Sequence, residues 1–105
     1  MRLLENKVAL ITGASRGIGA AIALAMAEQG ALVAATATTA AGAENISQRL
    51  QAHGLKGKGF VLNLSDDASI KSLFAELQDF GLPNILVNNA GITRDNLLLR
   101  MKAEE

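Results

Sequence analysis

The sequence predicts an α/β fold in which a parallel sheet is built from the element order βαβαβαβ. Two observations lead to this prediction. Short apolar runs alternate along the 105 residues with longer segments of helical spacing. A glycine-rich turn, from Gly13 to Gly19, directly follows the first apolar run and leads into the first helical segment. Strands and helices that alternate in this way form a parallel sheet with right-handed crossovers.

The first half of the chain is predicted to contribute two strands and two helices. In chain order they are a strand over 7–12, a helix over 17–29, a strand over 31–36 and a helix over 40–52. The first strand is a continuous apolar run, which is typical of a parallel strand covered on both faces. Gly30 is placed as the carboxyl-terminal cap of the first helix. The buried face of that helix is predicted to be one apolar stripe, formed by Ile18, Ala21, Ile22, Ala25 and Met26.

The second half is predicted to contribute a strand over 59–63, a helix that starts at Asp66 or Asp67, and a strand over 84–88. The helix has apolar residues at positions i, i+3, i+4 and i+7, namely Ile70, Leu73, Phe74 and Leu77. The segment from Gly81 to Pro83 ends it. The remaining residues, 92–105, are expected to begin as a loop and to enter a helix near Asn96 or Leu97.

The order of the strands follows from this pattern. We expect the first strand to be central, with the second and third on one side and the fourth on the other. The fourth strand carries Ile85, Leu86 and Val87, so it is apolar on both faces and would form an exposed sheet edge. Proteins usually shield such an edge. We therefore expect residues 1–105 to be one incomplete domain, with a further strand in what would follow.

Composition excludes several classes of function. Lysine plus arginine and aspartate plus glutamate balance at ten each, which argues against a non-specific nucleic-acid binder. Without cysteine there can be no disulfide framework, cysteine zinc site or thiol nucleophile. The histidine and carboxylates lack metal-ligand spacing, and His53 and the Asp66–Asp67 pair are interpreted as helix-end residues. The amino terminus has no signal-type apolar region, so we predict a cytoplasmic location.

The glycine turn is the strongest functional signal. Its spacing, with glycines at 13, 17 and 19, is neither Gly-x-Gly-x-x-Gly nor a Walker P-loop. We expect Gly13 to allow a tight turn, Gly17 to let a pyrophosphate approach the backbone, and Gly19 to let the helix pack closely on the strand. A turn that merely reverses the chain is the alternative. The preceding strand and the following helix favour a phosphate site at a helix amino terminus.

These residues resemble the short-chain dehydrogenase/reductase family. The resemblance lies in Thr-Gly-x-x-x-Gly-x-Gly, from Thr12 to Gly19, and in Asn88-Asn89-Ala90-Gly91 after the fourth strand. It implies a Rossmann-type, doubly wound parallel sheet, of which this chain would be the amino-terminal portion. The run from Ile92 to Leu98 is similar to the branch that reduces 3-oxoacyl chains on acyl carrier protein with NADPH, in fatty acid biosynthesis. Membership of that branch implies a homotetramer with acyl carrier protein as a partner.

Cofactor preference is predicted from the end of the second strand. An NAD-binding domain places an acid there to bind the ribose, yet no Asp or Glu lies between Glu28 and Glu44. Arg16 can bind phosphate through its guanidinium and Thr38 can add a hydroxyl, so NADP(H) is predicted. An exposed loop arginine is the alternative interpretation of Arg16.

The resemblance extends the predicted cofactor site to both sequence motifs and to two further strand ends. Asn63 and Leu64 are placed beside the adenine and Asn89 near the ribose. The alternative for Asn63 is a turn residue, whereas Asn88 and Thr12 are interpreted as structural links between neighbouring strands. The full predicted set is Gly13, Ala14, Ser15, Arg16, Gly17, Ile18, Gly19, Thr38, Asn63, Leu64, Asn89, Ala90 and Gly91.

The chain contains no tyrosine. Family members use a tyrosine, with a lysine four residues later, as the proton donor, so no catalytic residue is predicted in this span. Three hypotheses follow: the cofactor-binding part of a reductase, a short protein that binds NADP(H) without catalysis, or a non-functional remnant. Another reductase of the same family is a further alternative.

Overall fold

The computed structural model describes residues 3–89. Within them one parallel sheet is connected by helices. The strands are β1 (Val8–Thr12), β2 (Leu32–Ala37), β3 (Gly57–Val61) and β4 (Ile85–Asn88). The helices are α1 (Gly17–Glu28), α2 (Ala40–Ala52) and α3 (Asp67–Phe80). The predictions made for Ala90, Gly91 and residues 92–105 lie outside the described residues.

The strand order β3-β2-β1-β4 confirms the predicted arrangement, with β1 inside the sheet. Ala9 pairs in parallel register with Val33 of β2 and with Ile85 of β4. The carboxyl ends of all four strands therefore lie along one edge of the sheet. The α/β, Rossmann-type fold predicted from the sequence is confirmed, and β4 is the outermost strand on its side of the described sheet.

The two faces of the sheet bury different residues. Alternate side chains of a strand point to opposite faces. On one face Ala9, Ile11 and Val33 pack beneath α1 and α2, while on the other Leu10 and Ala34 pack beneath α3. Covering both faces explains why β1 and β2 are continuous apolar runs.

The stripe predicted for α1 is not its most buried face, although Ile22 and Met26 pack against the core. The buried residues are Gly19, Ala23 and Ala27, whereas Ile18, Ala21 and Ala25 are exposed and Ile22 and Met26 are only partly buried. The reason is that α1 is apolar almost all round, so hydrophobic spacing cannot identify its inner face. The face made of the smallest residues allows the closest approach of helix to sheet, and that face is buried.

Helix ends agree with the predictions more closely than strand ends. Gly30 (φ 99°) directly follows the cap residue Gln29 and donates its N–H to the Ala27 carbonyl at 3.0 Å, as in a Schellman motif. The next residue, Ala31, donates to Met26 at 3.2 Å, so β2 begins one residue later than predicted.

Strand β3 begins and ends two residues before the predicted 59–63. Glycine and lysine are depleted in strands, so the pattern of Gly57 and Lys58 gives no strand signal, yet both residues pair with β2. Asn63 lies beyond the strand, and its backbone N–H donates to Ser69 Oγ at 2.9 Å. The shift leaves Asn63 in the loop at the carboxyl edge of the sheet.

Candidate functional site

The glycine turn lies at the carboxyl end of β1, in the middle of this edge. Gly13 and Gly17 both have φ of 65°, in the left-handed region that favours glycine. A Cβ atom built on Gly17 would have no atom within 4 Å, so the backbone there faces open space. That opening leaves room for a phosphate, and the phosphate contact expected of Gly17 stays a prediction.

Gly19 has a different role. A Cβ atom on it would collide with the carbonyl oxygen of Gly13 and would lie 2.6 Å from Asn89 Nδ2. The first turn of α1 therefore packs against the glycine turn and the end of β4. This refines the prediction that Gly19 packs the helix on the strand, because the contact is with the turn that follows the strand.

Two hydrogen bonds attach the turn to β2. The Gly13 N–H donates to Thr36 Oγ1 at 3.3 Å, and the Ala14 N–H donates to the Thr36 carbonyl at 2.8 Å. Thr36 is buried, with 2% of its surface exposed. Sequence reasoning missed this residue; the available signal was a hydroxyl side chain inside an otherwise apolar strand.

A second set of hydrogen bonds attaches the turn to β4. Thr12 Oγ1 donates to Asn88 Oδ1 at 2.9 Å and accepts from the Asn89 N–H at 3.0 Å. Asn89 Nδ2 donates to the Gly13 carbonyl at 3.0 Å. The structural roles predicted for Thr12 and Asn88 are confirmed. Asn89 also holds the turn, which the sequence did not predict, and the ribose contact proposed for it remains a prediction.

Helix α1 begins differently from the other two helices. The Thr39 and Asp66 side chains cap α2 and α3 by accepting from Gly42 (3.0 Å) and Ala68 (3.0 Å). Arg16, which precedes α1, is extended and makes no capping hydrogen bond through its side chain within residues 3–89. Arg16 is exposed, and because α1 has no side-chain cap its amino terminus keeps N–H donors that an anion can accept from.

The end of β2 lies beside the same turn. Thr38 is exposed and follows β2 directly, where an NAD-binding domain would place its acid. Ser15 approaches the start of α2, because a Cβ atom on Gly42 would lie 3.6 Å from Ser15 Cβ. From further along α2, the Arg49 guanidinium donates to the Ser15 carbonyl at 3.5 Å. Sequence reasoning did not identify Arg49.

The predicted adenine residues lie after β3, farther along the edge. Asn63 Oδ1 accepts from the Ser65 N–H at 3.0 Å, which gives Asn63 the turn role named as its alternative. Leu64 packs against the core beneath α3. The adenine contacts of both residues remain predictions.

Several other side chains occupy helix ends or surfaces. His53 is the cap residue of α2, and its ring Nδ1 lies 2.9 Å from the Arg49 carbonyl oxygen, as the helix-end interpretation predicted. Asp66 and Asp67 start α3, also as predicted. Among residues 3–89 no three metal-ligating side chains come together, and no helix in that part of the chain has the length and apolar character of a membrane span.

Comparison with known proteins identifies the family. Residues 7–105 match the short chain dehydrogenase family. The chain belongs to that family. Membership implies a nicotinamide cofactor, and the open backbone at Gly17, beside the uncapped start of α1, fits a dinucleotide phosphate.

The chain is also similar to curated members named 3-oxoacyl-[acyl-carrier-protein] reductase FabG. It is 56% identical over 103 residues to that protein of Pseudomonas aeruginosa, covering 97% of this chain and 42% of the relative. It is 58% identical over 102 residues to the Escherichia coli protein, covering 96% and 41%. The Vibrio cholerae protein is 58% identical over 103 residues, with 97% and 41% covered. The chain thus spans about two fifths of the length of these relatives.

Proposed function

We propose that this chain supplies the cofactor-binding portion of an oxidoreductase, an NADPH-dependent 3-oxoacyl-[acyl-carrier-protein] reductase. The observation that carries the proposal is the 56–58% identity to relatives with that name across nearly the whole chain. The geometry of the glycine turn supports it. The reaction would convert a 3-oxoacyl chain on acyl carrier protein into the 3-hydroxyacyl chain.

The turn and the start of α1 would hold the cofactor's pyrophosphate. The backbone N–H groups from Ser15 to Gly19 would donate to phosphate oxygens, with close approach possible at Gly17, while the N–H groups of Gly13 and Ala14 stay bonded to Thr36. The hydrogen bonds from the turn to β2 and β4 fix its shape before a ligand arrives, which lowers the entropic cost of binding. When bound, the nicotinamide cofactor supplies the hydride.

The outer residues of the site would select and orient the cofactor. Arg16 and Thr38, both exposed beside the turn, would bind a 2′-phosphate. Asn63 and Leu64 would contact the adenine, and Asn89, Ala90 and Gly91 the ribose. The 105 residues contain no tyrosine, so proton donation is assigned to residues outside this sequence, and these residues alone are expected to be inactive. Homotetramer formation, docking of acyl carrier protein and the cytoplasmic location stay predictions.

The test compares NADPH binding and turnover in the full-length protein. We expect NADPH oxidation that depends on acetoacetyl-acyl carrier protein, and tighter binding of NADPH than of NADH. Gly19→Ala should lower NADPH affinity at least about tenfold, because its Cβ atom would displace the Gly13 carbonyl and Asn89.

Gly54→Ala is the matched control. Gly54 has the left-handed φ of 66° and open space around it, and it lies after α2, so its substitution costs stability without touching the turn. Equal loss of NADPH affinity in both variants would contradict the proposed site. NADPH binding without any turnover of the acyl substrate would instead favour the non-catalytic alternative.

A further inference from the structure

A second arginine reaches the glycine turn from α2. Arg49 lies two turns and more into that helix and is partly buried. Its Nη2 donates to the Ser15 carbonyl at 3.5 Å, across 34 residues of sequence. The guanidinium therefore contacts the peptide group that joins Ser15 to Arg16, directly before α1 begins.

The contact with Ser15 brings the positive charge of Arg49 to the glycine turn and does not neutralise it. The partner of the guanidinium is a neutral carbonyl rather than a carboxylate. A guanidinium has five N–H donors in a planar fork, and the Ser15 contact uses one nitrogen. A doubly charged phosphate beside Ser15, Arg16 and Thr38 would therefore meet a second positive group in addition to Arg16.

Nearby packing keeps the guanidinium close to the turn. The start of α2 lies alongside Ser15, as the 3.6 Å approach between Ser15 Cβ and a Cβ on Gly42 shows. The side chain of a helical residue points back towards the helix amino terminus. Helix α2 begins at Ala40, two residues after Thr38, so this direction leads towards the end of β2, in agreement with the contact to Ser15.

We propose that Arg49 is a specificity-determining residue, which favours a dinucleotide with a 2′-phosphate over one with a free 2′-hydroxyl. The inference rests on the proposed function, since it assigns a further residue to the same cofactor site. Its basis is the contact between the Arg49 guanidinium and the Ser15 carbonyl. A purely structural role would affect both dinucleotides equally, and the difference between them therefore tests the proposal.

The experiment measures dissociation constants of the full-length protein for NADPH, NADH, 2′,5′-ADP and 5′-AMP by calorimetry or fluorescence. The variants are Arg49→Gln, which removes the charge, and Arg49→Lys, which keeps it. Both replacements suit a helix interior, so α2 should persist. Lys56→Gln is the charge control, because exposed Lys56 precedes β3 at the opposite edge of the sheet.

We expect Arg49→Gln to weaken NADPH and 2′,5′-ADP about three- to fivefold, the size expected of a partly exposed charge pair. NADH and 5′-AMP should change less than twofold. Arg49→Lys should retain part of the preference for NADPH over NADH. Added salt should reduce the difference in NADPH affinity between the wild-type protein and Arg49→Gln, because salt screens the charge. Lys56→Gln should bind all four ligands as wild type does.

An equal loss for both dinucleotides, or no loss for either, would overturn the inference while leaving the proposed function intact. Weaker NADPH binding by Arg49→Lys than by Arg49→Gln would also overturn the inference, because the positive charge at residue 49 would then not be the cause of the preference for NADPH. A wild-type protein that binds none of the four ligands would overturn the proposed function and this inference together.

Discussion

Helices α1 and α3 cover opposite faces of the same sheet and do so in different ways. The buried residues of α3 are Ile70, Leu73 and Leu77, and the edge-to-face contact of Phe60 with Phe80, at 5.2 Å between ring centroids, extends that core. The buried residues of α1 are Gly19, Ala23 and Ala27. The fully buried residues of α3 are therefore large, whereas those of α1 are small and bring its backbone close to the sheet.

The difference separates the helix that contributes most to stability from the helix that contacts the candidate phosphate site. Large apolar side chains bury the most area and stabilise most per residue. Small ones bring the α1 backbone close to the sheet, so that its first turn meets the Gly13 carbonyl and Asn89. Helix α3 therefore serves mainly stability, while helix α1 also contacts the glycine turn of the candidate phosphate site.

The largest expected effect is on the α3 face. Leu77 is fully buried, so Leu77→Ala should lower the free energy of unfolding by about 3 kcal/mol through lost burial and a cavity. Urea denaturation of the protein measures this. NADPH affinity under native conditions should stay within twofold of wild type. Leu82→Ala, at a side chain 55% exposed, is the control and should cost less than about 0.5 kcal/mol. Similar losses of unfolding free energy in Leu77→Ala and Leu82→Ala would contradict the placement of Leu77 in the core.

On the α1 face, replacing a small buried side chain with a larger one should be the damaging change. Ala23 is 3% exposed, and Ala23→Leu should lower the free energy of unfolding by about 2 kcal/mol, because the helix must move away from the sheet. That movement should also weaken NADPH binding, unlike Leu77→Ala. Ala21→Leu, on the exposed side of the same helix, should leave both quantities nearly unchanged. If Ala21→Leu were the more harmful variant, the stripe predicted from the sequence would be the buried face after all.

The same two helices show how far the sequence could predict the fold. Polar residues interrupt α3 regularly, so apolar spacing alone identifies Ile70, Leu73, Phe74 and Leu77 as its inner face. Ile70, Leu73 and Leu77 are buried and Phe74 is half-buried. The sequence of α1 carries no polar residue before Glu28, so its periodicity holds no information about which side faces the sheet. The side of α1 that faces the sheet is instead the side on which the helix backbone can pack closest to it.

The candidate site was predictable where its signal was local. The glycine spacing and Arg16 lie in one short segment, and the helix-end role of Asp66 needs only its neighbours. Thr36 and Arg49 contact the turn from residues more than twenty positions away in sequence, so only the folded chain brings them there. A single sequence has no signal for such contacts beyond a polar residue in an unusual place.

The smallest expected effect separates the anchoring of the turn from the packing around it. Thr36→Val keeps the shape of the buried side chain but removes the acceptor of the Gly13 N–H, and should cost about 1 kcal/mol of unfolding free energy because that bond is long, at 3.3 Å. The turn would keep its second bond to β2, from Ala14 to the Thr36 carbonyl. NADPH affinity should fall severalfold, since Gly13 loses part of its fixed position. Thr36→Ser retains the hydroxyl and should restore binding despite losing a buried methyl group. If Thr36→Ser lost as much NADPH affinity as Thr36→Val, packing rather than the hydrogen bond would hold the turn.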